Sequence, residues 1–282
     1  MSNRRKFIQQ SILGISGTAL LPVIGNASSS WVKESTIANA PLQIGIAGYT
    51  FAKFSLDQSI AMMKRIGVTH LSLKEIHLPL NSTDEQISAA IAKYKAGGIN
   101  IYTVGVIYMK TKEAVDIAFA YAKKCGVSMI VGVPSYDLIE YAEQKVKEYD
   151  IKLAIHNHGP EDALYPAPGD VYNRIKNLDA RMGMCIDIGH SLRAGTIPEK
   201  AIRDYKDRLF DLHIKDINAA AKDGKAIEIG RGVINFGAVI ESLRKVKFNG
   251  VCSIEFEKDM SDPLPGIAES VGYFKGIMAS ED

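Results

Sequence analysis

Cysteine is scarce in this chain. The three residues, Cys125, Cys185 and Cys252, lie in apolar segments, which leaves neither a disulfide framework nor a zinc knuckle and makes them small core residues. No charge sign dominates, with 34 basic against 32 acidic residues in 282. A balance this even gives no electrostatic footprint for nucleic acid or for an anionic membrane. No Gly-x-Gly-x-x-Gly turn follows any apolar run, and no Gly-x-Ser-x-Gly elbow occurs, so the usual dinucleotide and serine-hydrolase signatures are missing. Low-complexity tracts are absent too. What remains, at 46% hydrophobic and 23% charged, is an ordinary globular composition.

The first residues differ from the rest. Asn3-Arg4-Arg5-Lys6-Phe7-Ile8-Gln9 precedes an apolar run from Ile12 to Ile24 that ends at Gly25-Asn26-Ala27. Such a run is short of the roughly 20 residues that a bilayer core requires. The order of charged region, short apolar region and small residues is that of a cleavable leader, and the paired arginines resemble a twin-arginine export signal. Residues 1–27 are therefore expected to direct export to the periplasm, with a Ser-rich linker over 28–41. No cysteine follows the apolar run, so a lipid anchor is not expected. Loss of Arg4, Arg5 and Lys6 takes the formal net charge from +2 to −1.

From Leu42 onwards β-rich runs alternate with amphipathic helical stretches. Strands are expected over 42–49, 70–76, 99–107, 129–133, 152–156, 182–188, 210–214 and 251–256. Helices are expected between and after them, over 56–66, 84–94, 112–125, 136–149, 170–178, 198–205, 236–246 and 265–277. Several close on glycine stop signals, as at Gly67, Gly97 and Gly126. Eight β/α units in a chain of this length predict an α/β fold, a single-domain TIM (β/α)8 barrel over 42–282.

Chemistry in such a barrel belongs at the carboxyl ends of the strands, where polar residues do collect. The fifth strand ends in His156-Asn157-His158, the sixth in Asp187-Ile188-Gly189-His190, the seventh in His213-Ile214-Lys215-Asp216, and the eighth in Glu255-Phe256-Glu257. Side chains two apart share a face, so one ionisable residue from each strand can converge on the mouth. His156, Asp187, His213 and Glu255 are the expected ligands of a divalent transition metal. Mixed nitrogen and oxygen donors suit Mn, Co, Ni, Fe or Zn better than Mg or Ca.

These residues carry a resemblance. Asp187-x-Gly-His190, His213-x-Lys215-Asp216, Gly230-x-Gly232-x-x-Asn235-Phe236 and Ile254-Glu255 resemble the xylose isomerase-like barrel family of sugar isomerases and epimerases, inosose dehydratase included. The resemblance spans the chain from about residue 42. It implies that Asp187, His213 and Glu255 are metal ligands and that His190 contacts substrate. At the fifth strand His156 stands where such epimerases place a glutamate that serves as ligand and base. The His156-Asn157-His158 segment instead resembles the strand-five end of inosose dehydratases.

The expected function is enolisation of a keto sugar by a metal-dependent enzyme, followed by β-elimination as in a 3-keto-glycoside lyase or an inosose dehydratase. Isomerisation or epimerisation is the alternative, and a non-catalytic periplasmic sugar-binding barrel is a further one. A metal phosphoesterase would need more histidines and a basic surface. His158, Glu75 and Lys215 are the candidate catalytic groups, and Lys74 and His77 join His190 as candidate substrate contacts. At the second strand Glu75 and His77 share a face and Lys74 takes the other, so not all three can point into the mouth. The loop carrying Tyr165, Pro166 and Pro168 is expected to be solvated, and Gly230 and Gly232 to form a turn near the mouth. The expected partner is a small sugar, with homo-oligomers possible and neither nucleic acid nor a membrane anchor involved.

Overall fold

All eight expected β-runs form strands, and these close on one another into a parallel barrel. The computed structural model describes residues 42–280; the expected leader and linker lie outside the described residues. In chain order the elements are β1 (Gln43–Ala47), α1 (Leu56–Ile66), β2 (His70–Leu73), α2 (Asp84–Ala96), β3 (Asn100–Met109), α3 (Lys112–Cys125), β4 (Met129–Pro134), α4 (Ile139–Tyr149), β5 (Lys152–His156), α5 (Pro168–Ile175), β6 (Met182–Asp187), α6 (Ile188–Arg193), α7 (Pro198–Asp204), β7 (Leu209–Ile214), β8 (Asp216–Ile217), β9 (Ala226–Ile227), α8 (Phe236–Lys245), β10 (Val251–Ile254) and α9 (Leu264–Ser280). The barrel order is β1-β10-β7-β6-β5-β4-β3-β2, closed, while β8 and β9 pair separately as a small antiparallel hairpin.

Local sequence explains the boundaries. Ser55 and Thr83 cap α1 and α2 through capping boxes with Gln58 and Gln86, satisfying amides that a helix start leaves bare. Central strands such as Met129–Pro134 and Met182–Asp187 are buried along their whole length, as strands covered on both faces must be. The helices pack outside them, and α1 meets α9 to close the ring. Inside the barrel, Tyr102 from β3 donates from its hydroxyl to the Asp211 carboxylate at 3.1 Å and lies 2.6 Å from Ser253 Oγ. Cys185 Sγ donates to Asp211 Oδ2 at 3.6 Å. These four residues come from β3, β6, β7 and β10 and form a polar layer one pleat below the mouth. No helix among the described residues is long and apolar enough to cross a membrane.

Three features depart from the expected pattern. Strand β6 stops at Asp187 and α6 starts on the next residue, because the Asp187 side chain caps the helix, Oδ1 accepting from His190 N at 2.7 Å. Strand β3 runs on to Met109, past a register shift between Val104 and Ile107. The loop after β5 is packed, not solvated: Tyr165 is fully buried and donates to Pro134 O at 2.8 Å.

Candidate metal centre

β5, β6, β7 and β10 are consecutive in the barrel, and their carboxyl ends bring His156, Asp187, His213 and Glu255 together. One donor atom from each lies within 4.8 Å of every other, and all four residues are buried. His156 Nε2 faces His213 Nδ1 at 3.0 Å, and that nitrogen is 3.5 Å from Glu255 Oε2. Two imidazoles on one tetrahedral ion, at ~2.05 Å each, would set their nitrogens roughly 3.3 Å apart, close to this spacing. Asp187 Oδ2 is buried without a hydrogen-bond partner and points at His156 Nε2 from 3.9 Å. His213 Nε2 has no hydrogen-bond partner either.

Charge makes the same case. Lys215, buried, lies 3.0 Å from Glu255 Oε2, 2.8 Å from Glu257 Oε2 and 3.4 Å from Asp187 Oδ2. Three carboxylates face one ammonium, and the excess negative charge shows in its neighbours. Burial raises the Asp187 carboxyl, and at His213 burial is outweighed by Glu255, Asp211 and Asp187, which raise the imidazole. A divalent cation would offset that excess. Burial alone would lower the Lys215 pKa, but Asp187, Glu255 and Glu257 outweigh it and hold the ammonium charged. Burial likewise would raise the Glu255 carboxyl, yet Lys215 and His213 keep it well below the usual carboxylate range. Burial, with the neighbouring histidines, pushes His156 well below its usual value, so its imidazole is neutral, the form a ligand needs. Cys185 also lies within reach of His156 and His213, but burial raises its thiol far above the usual range. The donor set of two imidazoles and two carboxylates therefore fits a divalent transition ion.

Second-layer contacts hold the donors in place. Asn157 receives Asp187 N on its Oδ1 at 3.0 Å and donates from Nδ2 to Asp187 O at 3.2 Å. Gly189 lets α6 approach β7, since a Cβ there would sit 3.0 Å from Lys215 Cβ and Cγ. Asp216 accepts the amides of Gly230 and Gly232 on Oδ2 at 2.9 Å each, and those of Ile217 and Ile234 on Oδ1 at 2.9 and 3.2 Å. That nest explains the Gly-x-Gly pair: a Cβ on Gly232 would lie 2.2 Å from Asp216 Oδ1.

The remaining expected residues divide. His158 lies beside the donors, its Nδ1 3.5 Å from His156 Nδ1 and 3.8 Å from Asp162 Oδ2, and burial lowers its pKa. His190 sits 3.2 Å from Lys215 Nζ through Nε2 and 3.2 Å from Arg193 Nη1 through Nδ1; burial carries it down to about 3. Lys74, Glu75 and His77 do not join the group. β2 ends at Leu73, so strand parity no longer governs them: Lys74 donates to Glu75 Oε1 at 2.7 Å and to Val106 O, while His77 Nε2 faces Phe51 O at 3.1 Å. One residue at the mouth escaped the sequence reading. Tyr108, half-exposed near the end of β3, has its hydroxyl 2.9 Å from His158 Nε2. Its signal was the apolar run continuing through Ile107-Tyr108-Met109 up to Lys110.

A family model described as xylose isomerase-like TIM barrel matches residues 55–277. An uncharacterised protein of Methanocaldococcus jannaschii is 30% identical over 132 residues, 45% of this chain and 43% of that protein. The chain spans under half the length of the curated relatives it matches. Among solved structures, 3-keto-D-glucoside 4-epimerase from E. coli superposes with a TM-score of 0.68 at 16% identity over 83% of this chain and 99% of its own. The IOLI protein, solved with a bound zinc atom, superposes with a TM-score of 0.71 at 13% identity over 86% of this chain and 99% of its own. At these identities the structures share the fold.

Proposed function

The chain belongs to the xylose isomerase-like TIM barrel family, and we propose that it is a divalent-metal-dependent sugar enzyme that enolises a keto sugar and completes a β-elimination, as a 3-keto-glycoside lyase or an enzyme of the inosose-dehydratase type. The observation that carries this reading is the buried group of His156, Asp187, His213 and Glu255 at the carboxyl end of the barrel. A divalent transition ion held there would polarise a ketone and stabilise the negative charge that develops on its oxygen. The substrate class agrees with the named activity of the structurally similar 3-keto-D-glucoside epimerase, and the ion with the zinc of the IOLI protein. The twin-arginine-like leader supports a periplasmic site of action.

The residues supply the proton chemistry. His158 is neutral and next to the donors, so it accepts the proton from the carbon beside the ketone. Lys215, kept cationic by its three carboxylates, binds a substrate oxygen, and His190 is steadied by Arg193 to meet a neighbouring hydroxyl. Glu75 follows β2, across the barrel from β6, and is paired with Lys74, so it does not form a matched second base. One base serves elimination, whereas inversion by the usual route needs one on each face of the carbon. The test is to incubate metal-loaded enzyme in heavy water with 3-keto-glucosides and with free ketoses. Aglycone release with deuterium uptake beside the ketone is expected. Ketose interconversion without release of a leaving group would replace elimination by epimerisation, and binding without exchange would leave a sugar-binding barrel.

A further inference from the structure

Elimination from a glycoside needs a proton for the departing oxygen, and the donor group has none to give. His156, Asp187, His213 and Glu255 serve as ligands in the proposed function, and Lys215 is held among three carboxylates. Tyr108 is differently placed. Its hydroxyl is one imidazole away from the donors, 2.9 Å from His158 Nε2, with the two rings 5.4 Å apart and tilted by 31°. The same hydroxyl feels the carboxylates of Asp162, Glu255 and Glu75, from the segments that follow β5, β10 and β2. Burial, reinforced by those carboxylates, raises its pKa, so it is protonated at neutral pH. Half its surface is open to solvent.

Its surroundings suit the leaving part of a glycoside. Large apolar side chains exposed to solvent include Tyr49 just after β1, Ile76 after β2 and Tyr108 on β3, three adjacent strands. The mouth thus carries the donors at the ends of β5, β6, β7 and β10, and exposed aromatic and apolar side chains, beside the Lys74–Glu75 pair, at the ends of β1, β2 and β3. For a sugar with its ketone at the donors, those side chains are apolar surface open to an aglycone.

We propose that Tyr108 is the general acid of the elimination, giving its phenolic proton to the aglycone oxygen, and that the substrates are glycosides with an apolar or aryl aglycone. The inference rests on the elimination reading of the same site. In the balanced step His158 takes the C2 proton of the 3-keto-glycoside, and the C–H electron pair forms the enediolate. That pair then becomes the C1–C2 double bond as the C3 carbonyl re-forms and the C1–O bond breaks. The aglycone oxygen leaves with the Tyr108 proton. Water reprotonates the tyrosinate and receives the proton held by His158, so no oxidant or reductant is consumed.

The experiment compares wild type and Tyr108→Phe, metal-loaded, on 3-keto-β-glucosides whose aglycones run from 4-nitrophenol through phenol to methanol. For the variant the expected loss in kcat is about 100-fold with methyl and phenyl aglycones but within about threefold with 4-nitrophenyl, whose anion departs unaided. The wild type should depend far less on aglycone acidity. Equal losses across the series would overturn the role of Tyr108 while leaving elimination intact. Failure of the wild type to release any aglycone would overturn both. Tyr108 is half-exposed, and an unchanged thermal unfolding midpoint in the variant shows that the comparison is made on folded protein.

Discussion

Lys215 sets the charge state of the site. Its ammonium is buried among Asp187, Glu255 and Glu257, so removing it leaves three carboxylates facing one another in a low-dielectric interior. Lys215→Met should destabilise the metal-free protein by about 3 kcal/mol in urea unfolding, the scale of a broken buried pair. A loss below about 1 kcal/mol would mean that the carboxylates do not depend on it. Much at this scale was legible in the sequence. His156, Asp187 and His213 sit in the last residues of regular strands, and Glu255 directly follows β10 with its amide still bonded to Ile214 O, so two-residue parity fixes which side chain faces the interior. Parity failed where the strand had already ended: Lys74 begins a turn after Leu73, and its partners, Glu75 and Val106 O, follow from tertiary packing. Tyr108 was missed for the opposite reason, since β3 continues past a register shift that periodicity does not reveal.

At the scale of elements, strand and helix existence followed from periodicity, because the central strands are apolar throughout and the helices carry their own caps. Asp187 concealed α6 by acting both as the last residue of β6 and as the cap of the helix, leaving no spacer to mark a boundary. β8 and β9, two residues each, are too short to show a period. Asp216 anchors the segment that follows, holding the amides of Ile217, Gly230, Gly232 and Ile234. Asp216→Ala leaves those four donors without their acceptor. The expected result is a loss of at least about 2 kcal/mol in stability, with faster amide hydrogen exchange at Gly230, Gly232 and Ile234 than in distant strands. Unchanged exchange at these amides would show that the segment holds its shape without the aspartate.

For the whole molecule, the closed barrel gathers the donors at the ends of β5, β6, β7 and β10 and exposes Tyr49, Ile76 and Tyr108 at the ends of β1, β2 and β3, while the interior layer of Tyr102, Cys185, Asp211 and Ser253 lies below. On the proposed function, the four donors hold one divalent transition ion. Elemental analysis of the folded protein after loading and gel filtration tests this most directly, alongside an Asp187→Ala, His213→Ala double variant. The expected result is about one ion per chain in the wild type and almost none in the variant, with metal raising the unfolding temperature of the wild type alone. An ion content in the double variant equal to that of the wild type, or a wild type that holds no ion at all, would contradict it.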